Sequence, residues 1–176
     1  MASNRHLGRI VALQTLYELD FRIEVKEKNL DQDAILKRNI DRYSEVVGDK
    51  DFISDLVNGV LKKAKDLDVI IQPVAPDWPI DQIARVDRTI LRMGVYELHF
   101  NKSVPAKVAI NEAVELAKSF GADNSSKFVN GVLGTVLKHI DAEADSASDD
   151  KAPEVKPKTK VAKAPVKKSL KKVEEK

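Results

Sequence analysis

The chain has 176 residues, of which 43% are hydrophobic and 33% charged, so one domain with a substantial core is within reach, with or without an unstructured extension. It has no cysteine, which excludes disulfide frameworks, thiolate zinc sites and cysteine nucleophiles. The formal net charge of +2 hides an asymmetry, because residues 151–176 carry ten lysines against Glu154, Glu174 and Glu175, a net +7 that leaves −5 for residues 1–150.

In chain order, the first helix is expected over residues 5–20, opening on Arg5, His6 and Arg9 and carrying Tyr17. Residues 1–4 form no apolar run, and no uncharged stretch approaches the ~20 residues needed to cross a bilayer, so the expected location is cytoplasmic, with no membrane partner. A second helix is expected over 31–47, ended by Gly48. Ile53, Leu56, Val57, Val60, Leu61 and Ala64 then recur at helical spacing on one stripe. Pro73, Pro76 and Pro79 forbid a helix through the segment that holds Trp78.

A helix over 83–100 turns Val86, Ile90 and Met93 inward and presents Arg85, Arg88 and Arg92 as a basic face, with Asp81 four residues before Arg85 as a candidate ion pair. Asp87, between Val86 and Arg88, reads as an intrahelical ion-pair member or a partner contact. Ile110, Ala113, Val114 and Ala117 make a further stripe, opened by Pro105 and closed by Gly121. Val129, Val132, Leu133, Val136, Leu137 and Ile140 repeat the helical pattern, with Phe128 to the side of that stripe and Lys127 next to it. From residue 142 the composition turns to Ala, Asp and Ser and then to Lys, Ala, Pro and Val, too poor in large side chains to offset the entropy of ordering. Residues 142–176 are therefore expected to be a disordered basic tail behind an all-α helical domain at 1–141.

Chemistry is hard to place on this chain. His6, His99 and His139 are isolated from one another, no glycine-rich phosphate loop is present, and Ser119, Ser125 and Ser126 lack a nucleophile-elbow context and read as caps. No metal, cofactor or catalytic residue is expected. Taken alone, Arg5 and Arg9 read as a solvated helix start, Phe128 as a staple between helices, and Tyr17 as a packing residue with its hydroxyl at the surface.

The order of motifs changes that weighting. Ala12-Leu13-Gln14-Thr15-Leu16-Tyr17, Val86-Asp87-Arg88-Thr89-Ile90-Leu91-Arg92 and Gly94-Val95-Tyr96-Glu97-Leu98 resemble the NusB transcription antitermination family. The block from Val104-Pro105-Ala106-Lys107-Val108-Ala109-Ile110-Asn111-Glu112 to Ala117-Lys118-Ser119-Phe120-Gly121, followed by Ser126-Lys127-Phe128-Val129-Asn130-Gly131-Val132-Leu133, is the most specific part. The resemblance covers residues 5–140 and implies a bundle of two helical subdomains. It also implies a non-catalytic adaptor that holds boxA-type single-stranded RNA with NusE, a small-subunit ribosomal protein, and acts indirectly with other Nus factors and RNA polymerase on ribosomal RNA operons. By position it implies RNA contacts at Arg5, His6, Arg9, Tyr17, Asn124, Ser125, Lys127 and Phe128, and a NusE contact at Asp87. Leu7 and Gly8 dilute the arginine cluster that many relatives carry. The tail could add salt-sensitive attraction to RNA or serve solubility alone. A purely protein-binding scaffold and the targeting domain of an RNA methyltransferase are the competing readings, and the assembly is expected to be a monomer or a homodimer.

Overall fold

The computed structural model describes residues 2–101 and 103–149. Six helices follow one another: α1 (Ala2–Glu24), α2 (Gln32–Arg42), α3 (Lys50–Ile71), α4 (Arg85–His99), α5 (Ala106–Phe120) and α6 (Ser125–Asp149), with a 3-10 turn at Gln72–Val74 after α3. No strand occurs among the described residues, as the helical periodicity predicts.

Local signals set the starts. Asp31 accepts from the Ala34 amide at 2.9 Å and Asp49 from the Phe52 amide at 3.1 Å, so each caps the first turn of α2 or α3. Between α1 and α2 the chain reverses through Lys26 and Asn29, both at positive φ, a region that asparagine tolerates better than most residues. Pro105, at φ −59°, leads into α5 with its backbone already shaped for a helix start.

α1 packs on α2, α3 and α4, while α5 and α6 pack on each other and on α4. Thus α4 belongs to both groups, α1–α3 on one side and α5–α6 on the other, which is the two-part bundle. Its Gly94 permits a close approach to α6: a Cβ there would stand 2.6 Å from Cδ1 of the fully buried Leu133. The stripes foreseen on α3 and α6 supply Ile53, Leu56, Val57, Val60, Val129, Val132, Leu133 and Val136 to the core.

Four expectations change. α1 begins at Ala2 and extends to Glu24, and α2 stops at Arg42 rather than running to residue 47. α6 continues through Asp149, so residues 142–149, read as the start of the tail, prolong the helix, and residues 150–176 lie outside the described residues. Asp81 sits in the turn before α4, where the i,i+4 geometry does not exist, and Arg85 pairs instead with Asp20 and Glu24 of α1. Arg88 reaches Asp20 at 2.8 Å, and Arg92 reaches Asp20 at 3.1 Å and Asp68 at 2.7 Å. The basic face of α4 is thereby neutralised by α1 and α3. Burial works against the Arg92 charge, but its hydrogen bonds to Asp68 and the fields of Asp68 and Asp20 outweigh it and raise its pKa.

Candidate nucleic-acid interface

The first two turns of α1 carry Arg5, His6 and Arg9, and the fold gives each a different fate. Arg5 remains half exposed, 3.4 Å from Asp49 and with its guanidinium 5.2 Å from the centroid of the Phe52 ring. His6 is partly exposed, its Nδ1 2.9 Å from Oε2 of Glu112 on α5. Arg9 departs from the expected surface role. It is 2% exposed, bonded through Nη2 and Nε to the two oxygens of Glu97 at 2.7 and 3.0 Å, and 3.4 Å from Glu112. Phe52 lies under this guanidinium as well, at 5.1 Å. A fork satisfied on both prongs inside the bundle has little left to offer a ligand.

The second cluster forms where α5 turns into α6. Gly121 ends α5, and a Cβ at that position would lie 2.4 Å from the Ser125 Cβ, so only glycine lets the turn close this tightly. Ser125 is 4% exposed; its hydroxyl accepts from the Ala122 amide at 2.9 Å and donates to Oδ2 of Asp87 at 2.7 Å. The hydroxyl expected to serve phosphate is therefore committed inward. Asp87 itself is 8% exposed, and its other oxygen, Oδ1, is buried without a hydrogen-bond partner in the described structure. Its sequence reading as an intrahelical ion pair gives way to this bond between α4 and α6.

Around Asp87 and Ser125 opens a cavity of about 620 Å³, walled by Trp78, Gln82, Ile83, Asn124 and Phe128 among others. Phe128 is half buried and packs on the core with one part of its ring, as a staple does, while another part faces the cavity. Asn124 and Lys127 are exposed beside it. Trp78 is 55% exposed and was not singled out as a site residue by sequence. No spacing rule connects positions 78 and 128; the proline-rich segment brings them together only in three dimensions.

Tyr17 lies further along α1. Its ring is 44% exposed rather than in the core, 5.7 Å from the Arg85 guanidinium, and it lines a second hollow of about 390 Å³ with Leu13, Gln14, Val86 and Phe120. Phe120 closes α5 immediately before the Gly121 turn, so the hollow at Tyr17 ends next to the turn that carries Asn124, Lys127 and Phe128. Among the described residues no cluster of three or more metal-ligating side chains exists, and no helix is long and apolar enough to cross a membrane.

The chain matches the NusB family over residues 6–138. It is 43% identical over 148 residues to the transcription antitermination protein NusB of Chloroflexus aggregans, covering 83% of this chain and 95% of that protein. It is 44% identical over 139 residues to the NusB protein of Roseiflexus castenholzii, covering 78% and 94%. Among solved structures, T. maritima NusB superposes with a TM-score of 0.67 at 32% identity, covering 76% of this chain and 90% of that one. A structure of the antitermination factors NusB and NusE in complex with double-stranded RNA matches with a TM-score of 0.67 at 27% identity, covering 79% and 99%. Family, fold and order of motifs agree along the helical body, and the chain belongs to the NusB family.

Proposed function

We propose that the chain is a non-catalytic RNA-binding adaptor of transcription antitermination, acting in the cytoplasm, which holds boxA-type single-stranded RNA together with a NusE-type ribosomal protein and so favours elongation by RNA polymerase. The observation that carries this reading is the cavity at the α5–α6 turn, where Asn124 and Phe128 form part of the wall and Lys127 stands exposed beside them. Arg5 and Lys127 are solvent-facing cations suited to phosphates, and the cavity-facing part of the Phe128 ring is a stacking surface for an unpaired base. The similarity to a transcription antitermination protein NusB, and to NusB in its complex with NusE and double-stranded RNA, supports the same assignment.

Asp87 occupies the boundary between this RNA face and the hollow lined by Tyr17 and Val86, and the NusE contact is assigned to that boundary. Because Asp87 is nearly buried, it acts there through the shape that its bond to Ser125 gives the turn. Arg9 and Ser125 support the surface from within.

The test is a fluorescence-anisotropy titration of a boxA-type oligonucleotide and a scrambled control. The native chain is expected to prefer the boxA-type sequence, and Phe128→Ala to weaken binding roughly tenfold, within the ~1–3 kcal/mol that a stacked base contributes. Equal binding of both oligonucleotides, or none of either, would move the function to protein scaffolding.

A further inference from the structure

Arg9 has in Glu97 a bidentate partner of opposite charge, both side chains being nearly inaccessible, so charge balance inside the bundle asks for no second carboxylate. Glu112 supplies one nevertheless. It is partly exposed on α5, and a single oxygen, Oε2, takes both His6 Nδ1 at 2.9 Å and Arg9 Nη1 at 3.4 Å. His6 and Arg9, three residues apart, occupy neighbouring positions on one face of α1, and Glu112 clamps that pair to α5. From the other side, Asn4 accepts from the Gly48 amide at 2.9 Å and Arg5 leans on Asp49.

A carboxylate is an adverse neighbour for a polyanion unless it contributes order that outweighs its repulsion. Its position shows what that order is. A carboxylate at Nδ1 holds the ring proton there, which fixes the ring orientation and leaves Nε2, unbonded among the described residues, as the nitrogen available to a ligand. We propose that Glu112 is a positioning residue of the RNA-contacting face, fixing the His6 ring so that the start of α1 meets the RNA backbone in one geometry. The proposal rests on the RNA-binding reading above. Glu112 acts through His6 and does not touch the ligand.

The test is a double-mutant cycle on the full chain with Glu112→Gln, His6→Ala and the two combined, read by anisotropy with a boxA-type RNA oligonucleotide, with thermal unfolding followed in parallel. Glu112→Gln is expected to weaken RNA binding roughly tenfold, as loss of one charge-assisted hydrogen bond does, while NusE binding is unchanged. The double variant is expected to bind no worse than His6→Ala alone. Simple electrostatics makes the opposite statement, since removing a negative charge tightens binding to a polyanion. Equal or tighter binding by Glu112→Gln, or independent losses from the two substitutions, would overturn the proposal while leaving the adaptor reading intact if Phe128→Ala still weakens binding. If Glu112→Gln lowers the unfolding midpoint, His6→Ala, which leaves Arg9 both carboxylates, carries the test, and unchanged RNA affinity in that variant overturns the proposal. Absence of RNA binding by the native chain removes both.

Discussion

Arg5 and Arg9 stand one helical turn apart on α1 and end in opposite surroundings, one half exposed beside Asp49, the other sealed against Glu97. The difference decides what each substitution costs. Glu97→Ala removes the bidentate partner of a buried guanidinium, leaving it only the longer contact to Glu112, and is expected to destabilise the fold by about 3 kcal/mol in denaturant unfolding, the lower end of the cost of breaking a buried pair from one side. Glu115→Ala removes a pair with Lys118 whose side chains are both more than half exposed, and it is expected to shift stability by less than ~1 kcal/mol. Equal losses would mean that the Arg9 pair is solvated. Arg5 and His6 were readable from sequence as a basic start, but the burial of Arg9 was not, because its partners lie 88 and 103 residues further along the chain. Phe128 was visible as an off-stripe aromatic, whereas its neighbour Trp78 across the cavity had no such signal.

At the scale of elements, α2 is short and buries only Ile35, Leu36, Asn39 and Ile40, so polar ties to α1 weigh more in its docking than they do elsewhere. Glu18 of α1 is the centre of those ties, accepting from Arg38 at 2.5 Å, Asn39 at 3.3 Å and Arg22 at 3.0 Å. Burial alone would raise the Glu18 pKa, but hydrogen bonds from Arg38, Asn39 and Arg22 outweigh it and hold the group below its ordinary value of 4.5. A carboxylate with a depressed folded-state pKa stabilises the fold above the unfolded value, and that contribution is lost as pH falls below about 4.5 toward the lower folded value. Amide exchange in α2 is expected to accelerate over that window in the native chain, and Glu18→Gln is expected to remove the dependence. Unchanged exchange in the native chain would assign α2 docking to its apolar face alone. The stripes of α3, α5 and α6 were legible because 3.6-residue periodicity is local, while the pairing of α4 arginines with Asp20 and Asp68 depends on how the helices assemble.

Across the whole molecule, α4 joins the two groups of helices, and the proposed RNA face runs over the α1, α4 and α5–α6 junctions rather than along any one helix. That arrangement suits a surface that two partners share. The ten lysines of residues 151–176 lie outside the described residues, and their proposed part is electrostatic attraction without sequence preference. Deleting 150–176 is then expected to flatten the dependence of log affinity on log salt by about 0.7 for each lysine that meets a phosphate of single-stranded RNA, while leaving the boxA preference in place. An unchanged slope would confine RNA contact to the helical body.

The adaptor claim is tested most directly by titrating a boxA-type RNA with the native chain at several fixed concentrations of NusE, and titrating NusE at several fixed concentrations of RNA. Each partner is expected to strengthen the other by the same factor, as linkage requires, with Asp87→Ala reducing that factor and the scrambled RNA showing none of it. RNA affinity that is indifferent to NusE and to sequence would contradict the account and leave the molecule as a helical scaffold for proteins.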